Sequence, residues 1–353
     1  MRKGVRWFIA AGLVAALASC STGRTSPVPT AIPTATITAI PSPTPIPFAL
    51  LMAPDPPKTA AGQLAVQAVE AFCAQKGLTL KRVSPGNTIL GDYLQGTPSL
   101  VASVESGFGQ AVSAAAQAHP EVRFVAIEEN GVQPLPNLLV VGGDHIRYDQ
   151  VAFLAGMLAT IENRNDYVGW IGESGTVRGP IYQHGFLHGV RYVCPRCRVF
   201  DFELGPSADV PTGISVAVDL HDDFVDTASA IPSPAGQAAV TDLAKRGIRV
   251  AGTQPDFYTS LFGKGITEGA KYVLGGPAFR PDLLLADLLP RFLGGEVFPD
   301  AVSYSLENHG LEYAPFPNDW ISSGRRVYLQ AVIDDVVSGR LDIGVDPQTG
   351  EER

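Results

Sequence analysis

Residues 167–202 read YVGWIGESGTVRGPIYQHGFLHGVRYVCPRCRVFDF and contain an alternation from which a fold class can be predicted. Residues 167–171 and 198–202 are short runs rich in aromatic and β-branched side chains, which is typical of strands. Residues 180–192 between them have the length of a crossover helix. A strand, a helix and a second strand in this order indicate two parallel strands of one sheet.

The same alternation extends in both directions, from residue 48 to about residue 345. The pattern predicts further strands at residues 48–53, 78–83, 99–104, 122–127, 138–141, 224–228, 248–252, 272–274, 301–306 and 311–314. It predicts further helices at residues 59–76, 148–161, 236–246, 280–293 and 321–337. An Ala-rich helix that ends at about residue 118 is also predicted. Parallel strands joined by helices imply an α/β fold, and a stretch of about 300 residues suits two lobes of about 150 residues each.

The composition limits the class of protein. The chain has 353 residues and a formal net charge of −9, with 45% hydrophobic and 17% charged residues, which argues against a disordered protein. Four basic residues, ending at Arg24, precede every acid, so the rest of the chain carries 22 basic and 35 acidic residues. Nucleic acid is therefore not an expected partner, because neutralising phosphates requires a basic face.

The N-terminal residues have the features of an export signal. Residues 1–19 begin with basic side chains and continue with an apolar run that is too short to span a bilayer, as in a secretory signal peptide. Residues 17–20, LASC, resemble the bacterial lipobox, in which the signal is removed before a cysteine that becomes lipidated. A plain signal peptide with an incidental Cys20 is the alternative. Residues 20–47, rich in proline and threonine, are predicted to form an extended tether. The expected location is extracytoplasmic, lipid-anchored to the bacterial cell membrane.

Three further cysteines follow the tether. Cys194 and Cys197 form a CxxC pair, and an extracytoplasmic location permits a disulfide between them. Free thiols and a redox or metal function remain open as alternatives. A zinc ribbon would need a second such pair, which the sequence lacks. Cys73 falls on an amphipathic helix and is expected in the core.

Motifs that would indicate catalysis or a cofactor are incomplete. Residues 169–175 have the spacing GxxGxxG instead of the dinucleotide-binding GxGxxG. His184 and His188 are four residues apart on a predicted helix, but the glutamate of the HExxH zinc motif is replaced by glycine. The run HDD at 221–223 is interpreted as a solvated loop before a strand. The sequence therefore predicts no enzyme activity, no cofactor and no metal site.

The candidate binding residues follow predicted strands. Ligands of parallel sheets bind at the carboxyl ends of the strands, which correspond here to residues 55–58, 105–108, 128–130, 172–179, 229–234, 253–258 and 275–279. Their mixture of glycine, carboxylates and aromatic rings suits a polar organic ligand that contains a ring. The candidate ligand-binding residues are Asp55, Glu105, Gly107, Phe108, Glu128, Glu173, Asp256, Phe257 and Gly275.

Several segments resemble the sequence patterns of the BMP (basic membrane protein) family. They are AHPEVRFVAI at 118–127, the stretch from PNL to FLAG at 136–156, YVGWIG followed by GFLHG at 167–172 and 185–189, and LENHGL at 306–311. Their order and spacing cover about residues 48–345. The family consists of substrate-binding lipoproteins of ABC transporters, and a purine-nucleoside receptor is a known type.

The resemblance implies a type I periplasmic-binding-protein-like fold, with two Rossmann-like lobes of parallel sheets joined by a hinge. By analogy, residues 48–145 and about 273–297 form the first lobe. Residues 146–272 and about 298–345 form the second lobe. The chain is then expected to cross between the lobes near residues 145, 272 and 297.

The resemblance also implies roles for single residues. Gly107 and Phe108 match a glycine and a phenylalanine at a strand end of the first lobe, and Asp256 matches an acid that holds the sugar of the ligand. Residues 54–59 lack the Phe-Asn pair whose ring stacks on the base, and Gly275 stands where the family has a Thr-Ser pair. Phe108 or Phe257 could supply the missing ring.

These observations predict a monomeric solute-binding lipoprotein of an ABC importer. It would bind a small polar ligand between its lobes, a nucleoside-like ligand being favoured, and deliver it to a membrane permease that recognises the closed form. The alternative is a ligand-sensing or regulatory module on the same fold that signals to a membrane partner.

Overall fold

Two sheets of parallel strands organise the residues that the computed structural model describes, namely 47–83, 90–313 and 320–353. The strands of the first sheet are β1 (Phe48–Met52), β2 (Thr79–Val83), β3 (Leu100–Val104), β4 (Arg123–Ile127), β5 (Leu138–Ile146) and β12 (Val302–Tyr304). The strands of the second sheet are β6 (Tyr167–Glu173), β7 (Arg198–Leu204), β8 (Thr227–Ala230), β9 (Arg249–Ala251) and β10 (Val273–Gly275). A third, antiparallel pair consists of β11 (Pro277–Phe279) and β13 (Leu311–Tyr313).

The expected signal peptide, Cys20 and the expected tether up to residue 46 lie outside the described residues. One compact unit contains all of the residues that the structure describes. Within it, we call the first sheet and its helices the first lobe, and the second sheet and its helices the second lobe.

Both large sheets have the same winding. The strand order is β12-β5-β4-β3-β1-β2 in the first sheet and β10-β9-β8-β6-β7 in the second, and neighbouring strands are parallel in both. The connections reverse direction between β1 and β3 and between β6 and β8. Such a switch point opens a crevice at the carboxyl ends of the strands, where ligands of open α/β sheets bind.

Helices connect and cover the strands. They are α1 (Ala60–Lys76), α2 (Leu90–Leu94), α3 (Gly109–Ala118), α4 (Tyr148–Ile161), α5 (Arg178–Val193), α6 (Val210–Asp222), α7 (Pro234–Lys245), α8 (Phe257–Phe262), α9 (Pro281–Leu293) and α10 (Ser323–Val337). Two 3-10 turns follow α8, at Gly263–Gly265 and Ala270–Tyr272. None of the helices in the described ranges is both long and apolar enough to cross a bilayer.

Local sequence explains where several of these elements begin and end. The Thr59 side chain accepts a hydrogen bond from the Gly62 N–H at 2.9 Å and so caps α1, which ends at Gly77 in a left-handed conformation with φ 66°. Four of the five residues of β1 are buried, as expected for a parallel strand that is covered by helices on both faces. The capping residues thus fix the ends of α1, and the apolar run fixes the extent of β1.

Helix α4 lies at the centre of the molecule. All fourteen of its residues are buried, and it contacts α5 as well as β8, β9 and β10 of the second sheet. A helix that is apolar on every side must be buried to be stable in water. It follows directly after β5 of the first sheet, so the chain passes from the first lobe to the second at this point.

The structure moves two of the expected lobe boundaries. Val273–Gly275 pairs with β9, so these residues lie in the second lobe and not in the first, where residues from about 273 were expected. Val302–Tyr304 pairs with β5, so the first lobe extends beyond residue 297. Both short strands complete the edge of a sheet, and strand pairing of this kind joins residues that are far apart in the sequence.

Helix α6 was not expected, and its position corrects the interpretation of residues 221–223. His221 and Asp222 form the end of this helix, whereas the sequence predicted a loop before a strand that began at Phe224. Phe224 is exposed, with a φ of 59°, and the strand begins later, at Thr227. The Asp209 side chain caps α6 by accepting a hydrogen bond from the Thr212 N–H at 3.0 Å.

Candidate functional site

A cleft of about 1420 Å³ lies where the carboxyl ends of strands from both lobes face each other. The first lobe contributes the loops that follow β1, β3 and β4, and the second lobe contributes those that follow β6, β8 and β9. Placement at the switch points of both sheets makes this cleft the candidate ligand site.

Five of the nine candidate ligand-binding residues line this cleft. They are Glu105, Gly107, Glu128, Glu173 and Asp256. The structure therefore brings together acids from four different strand ends, as the loop argument anticipated. Gly107 contributes backbone, with a φ of 76° that only glycine adopts easily.

The other four candidates are not among the residues that line the cleft. Asp55 is exposed outside it. Phe108 packs against the core of the first lobe at the start of α3. Phe257 is only 5% exposed and packs against Phe262, with a distance of 5.6 Å between ring centroids. Gly275 belongs to β10, and its carbonyl accepts a hydrogen bond from the Gly252 N–H at 2.7 Å. Neither phenylalanine lines the cleft, where a ring was expected to stack on a ligand.

Three other aromatic side chains line the cleft instead: Tyr148, Tyr182 and Phe279. The rings of Tyr148 and Tyr182 are 5.1 Å apart between centroids, and Phe279 stacks on Tyr304 at 4.9 Å. The sequence did not single out these residues. Tyr148 could have been predicted as a cleft residue, because it is the first residue of the helix that follows strand β5.

The N-terminus of α1 opens into the cleft and is contacted by two acids. Glu105 Oε2 accepts a hydrogen bond from the Lys58 N–H at 2.9 Å, and Glu105 Oε1 accepts one from the Thr59 hydroxyl. Asp256, which belongs to the second lobe, accepts a hydrogen bond from the Ala60 N–H at 2.9 Å. This last hydrogen bond joins the two lobes across the cleft.

Glu128 has an unusual environment at the cleft wall. Burial raises the pKa of its carboxyl group to about 7; the Tyr304 hydroxyl partly opposes that rise, and the negative charge of Glu105 adds to it. Glu128 Oε1 and the Tyr304 hydroxyl are both buried, and the two side chains face each other. Gly142 makes room for both groups, since a Cβ there would lie 2.6 Å from Glu128 Oε1 and 2.6 Å from the Tyr304 ring.

Glu129 connects two of the site loops and was not among the candidates. Its Oε1 atom accepts hydrogen bonds from the Ser103 hydroxyl at 2.6 Å and from the Ser106 N–H at 2.9 Å, and its Oε2 accepts one from the Gly107 N–H at 3.1 Å. The residue is 4% exposed. A buried carboxylate with several donors is well compensated, so Glu129 holds the loop after β3 against the loop after β4.

The cleft is predominantly acidic. Its charged lining residues are the acids Glu105, Glu128, Glu129, Asp144, Glu173 and Asp256 and the bases Lys58, Arg178 and Lys264. Arg178 forms an ion pair with Asp144 at 2.8 Å and lies over the Tyr148 ring. An excess of acids over bases favours a ligand that donates hydrogen bonds or carries positive charge.

The cysteines and histidines lie elsewhere. The structure joins Cys194 and Cys197 by a disulfide, the first of the three states that the sequence left open. Asp166 and these two sulfurs form the only cluster with metal-ligand spacing among the residues described, and the disulfide removes both thiolates. His184 bonds to the Gly350 carbonyl at 2.6 Å and His188 to the Ile343 carbonyl at 2.7 Å.

Comparison with known proteins agrees with this geometry. Residues 95–266 match the Bmp family model, described as "ABC transporter substrate-binding protein PnrA-like". Basic membrane protein D of Borreliella burgdorferi is 26% identical over 155 residues, which cover 42% of this chain and 44% of that protein. Basic membrane protein A2 of Borrelia garinii subsp. bavariensis is 26% identical over 137 residues, 38% of this chain and 39% of that protein. The chain thus spans less than half the length of these curated relatives.

Solved structures show the same fold. A solute-binding protein of an ABC transporter system from Conexibacter woesei has a TM-score of 0.61 at 15% identity, covering 84% of this chain and 98% of that one. A transcriptional activator from Bacillus halodurans has a TM-score of 0.62 at 16% identity, covering 84% and 99%. A solute-binding protein and a transcriptional activator share this fold, so the fold alone does not distinguish between these two functions.

The chain is similar to the basic membrane proteins over these ranges, and the resemblance that the sequence indicated is confirmed. The predicted fold class, α/β with two parallel sheets and type I periplasmic-binding-protein-like neighbours, is also confirmed. The matching family is described as one of ABC transporter substrate-binding proteins.

Proposed function

We propose that the chain is an extracytoplasmic solute-binding lipoprotein of an ABC importer and that it binds a nucleoside-like solute in the cleft. One observation carries this proposal: strand ends of both lobes converge on a single cleft, and Asp256 spans it to the N-terminus of α1. A ligand in that position contacts both lobes, so its binding energy favours the closed form, which a permease can recognise.

The groups that line the cleft support the ligand class. Tyr148, Tyr182 and Phe279 line the cleft, although each is at most 9% exposed, and aromatic stacking contributes about 1–3 kcal/mol per base. Glu128 and Asp256 provide carboxylates that accept hydrogen bonds from hydroxyl or amino groups. Rings and acceptors together suit a nucleoside better than a simple sugar, which has no flat apolar face of that size.

The experiment is a thermal-shift and calorimetric panel on the full chain, with purine and pyrimidine nucleosides, monosaccharides and amino acids as separate probes. We expect a nucleoside to raise the melting temperature, because a ligand at a hundred times its Kd stabilises the folded state by about 2.7 kcal/mol. A shift with another solute class, and none with nucleosides, would contradict the nucleoside assignment.

A variant locates the site. Asp256→Ala should remove the nucleoside-induced shift while the unliganded protein stays folded, because it deletes a carboxylate at the cleft. Asp222→Ala is the matched control, since Asp222 is an exposed acid of the same lobe at the end of α6. An unchanged shift in Asp256→Ala would place the ligand away from this residue.

A further inference from the structure

The N-terminus of α1 is the place in the cleft where an anion would ordinarily bind. The helix has seventeen residues, and Lys58, Thr59 and Ala60 at its start line the cleft. The first N–H groups of a helix lack partners within the helix, and the helix dipole places partial positive charge there. Phosphates and carboxylates of ligands commonly bind at such ends.

In this protein the chain's own carboxylates occupy that end. Glu105 accepts hydrogen bonds from the Lys58 N–H at 2.9 Å and from the Thr59 hydroxyl. Asp256 accepts one from the Ala60 N–H at 2.9 Å. The Gly62 N–H, further along the first turn, donates to the Thr59 hydroxyl oxygen at 2.9 Å. An incoming anion would have to displace two negative groups from these donors.

The surrounding backbone is shaped to hold both acids in place. Glu105 and Asp256 have φ values of 47° and 57°, a conformation that non-glycine residues rarely adopt. Gly62 leaves space for the Glu105 carboxylate, because a Cβ at that position would lie 2.3 Å from Glu105 Oε2. Two strained residues and a required glycine converge on one contact, which argues that the contact is a built feature.

The other charged residues of the cleft also disfavour the binding of an anion. Glu128, Glu129 and Glu173 also line it, while Arg178 and Asp144 pair with each other at 2.8 Å. Lys58 and Lys264 are the other bases of the lining, so its acids outnumber its bases by six to three. A solute with a phosphate or carboxylate would therefore meet like charge in a partly desolvated space, where repulsion is strong.

We infer that Glu105 and Asp256 form a charge filter, closing the N-terminus of α1 to anionic groups so that the cleft selects uncharged or cationic solutes. The inference rests on the proposed function in taking this cleft as the ligand site. Applied to nucleosides, the filter admits the nucleoside and rejects its monophosphate.

The first test uses inorganic phosphate as the probe and does not depend on the natural ligand. Phosphate binding is measured by 31P line broadening and calorimetry at low ionic strength, on the full chain and on a Glu105→Ala/Asp256→Ala double variant. We expect no saturable binding to the native chain. The variant, with its helix donors uncovered, should bind phosphate with a Kd on the order of 1 mM.

Two further variants control for charge and for folding. Asp222→Ala/Glu268→Ala removes two exposed acids of the second lobe and should behave like the native chain. Glu105→Gln/Asp256→Asn keeps the side-chain volume but removes the charge, and should bind phosphate saturably, unlike the native chain. It also serves as the test if the alanine variant does not fold.

The outcomes separate the filter from the proposed function. Phosphate binding by the native chain as tight as by the variants, or no gain in either variant, would overturn the filter. If the variants gain phosphate binding but the native chain binds no nucleoside, the filter stands and the nucleoside assignment is rejected. Native binding of a nucleoside monophosphate as tight as that of its nucleoside would also overturn the filter.

Discussion

Glu128 shows how burial changes the chemistry of a single side chain in this protein. Its carboxyl group has a pKa of about 7 because burial disfavours the charged form. Four groups of neighbouring elements face it: the Tyr304 hydroxyl, the Glu105 carboxylate, the Gly143 backbone and, more distantly, the Tyr148 hydroxyl. Near neutral pH both forms of Glu128 are therefore populated. The ionised carboxylate accepts hydrogen bonds, and the protonated carboxyl group can also donate one.

This shift predicts how stability depends on pH. The folded state keeps a proton on Glu128 between about pH 4.5 and 7, where the unfolded chain has lost it. The free energy of unfolding should therefore fall across this window and level off above it, by up to about 3 kcal/mol from this group. Glu128→Gln mimics the neutral form and should remove the fall.

Urea denaturation at pH 5 and pH 8 measures the effect. The native chain and Glu128→Gln should differ more at pH 8, with the variant the more stable there. Glu268→Gln, which changes an exposed glutamate, should retain the pH dependence of the native chain. Equal pH dependence in native and Glu128→Gln protein would show that Glu128 titrates normally.

Helices α4 and α5 show how a pair of elements depends on small residues. Their backbones touch: a Cβ on Gly189 would lie 2.1 Å from the Phe153 carbonyl oxygen, and one on Gly156 would lie 2.2 Å from the Phe186 carbonyl oxygen. These glycines belong to the segments that carried the family resemblance. Their role is thus helix packing in the second lobe.

Gly189→Ala should destabilise the protein by about 2–4 kcal/mol, because the added methyl group would overlap the backbone of α4 and force the helices apart. Chemical denaturation gives the value. Gly324→Ala is the matched control within α10, where a Cβ would meet no atom within 4 Å. There the substitution should stabilise slightly, by up to about 1 kcal/mol. Equal stability of the two variants would refute the close packing.

At the scale of the whole molecule, contacts between described residues join the two lobes across the cleft. Asp256 reaches the Ala60 N–H at 2.9 Å, and Arg178 reaches Asp144 at 2.8 Å. The fully buried α4 follows directly after β5 and packs on the second sheet. The described part of the chain is therefore one compact unit whose two lobes share a cleft, although the segment boundaries differ from the expected ones.

Attachment to a membrane is a prediction for the whole chain, and it depends on residues 1–47. We expect a metabolic fatty-acid label on the native chain and none on Cys20→Ala, because Cys20 is the predicted acceptor. Acyl chains contribute about 0.8 kcal/mol per buried CH₂ to membrane binding, so more than one chain would anchor the protein stably. Cys73→Ala should keep the label, and equal labelling of Cys20→Ala would refute the anchor.

The amino-acid sequence by itself determined the features that depend on neighbouring residues. Helix α4 was predicted at residues 148–161, which are its bounds in the structure, because its apolar run and end signals are local. Helix α6 was missed although its buried residues Gly213, Val216, Ala217 and Leu220 have helical spacing. Its Pro211 and Gly213 weakened a pattern that the Asp209 cap supports.

Only the tertiary structure decided which side chains reach the cleft. Phe108 and Phe257 follow strands, as ligand-binding residues do, yet both turn toward a lobe core, while Tyr148, Tyr182 and Phe279 line the cleft. Hydrophobic periodicity predicts which element contains a residue, but it does not predict the direction in which a side chain of a loop faces. The hydrogen bond from Ala60 to Asp256 joins residues 196 positions apart. Such contacts arise when two lobes pack, so local sequence determined the strands and helices, and packing determined the site.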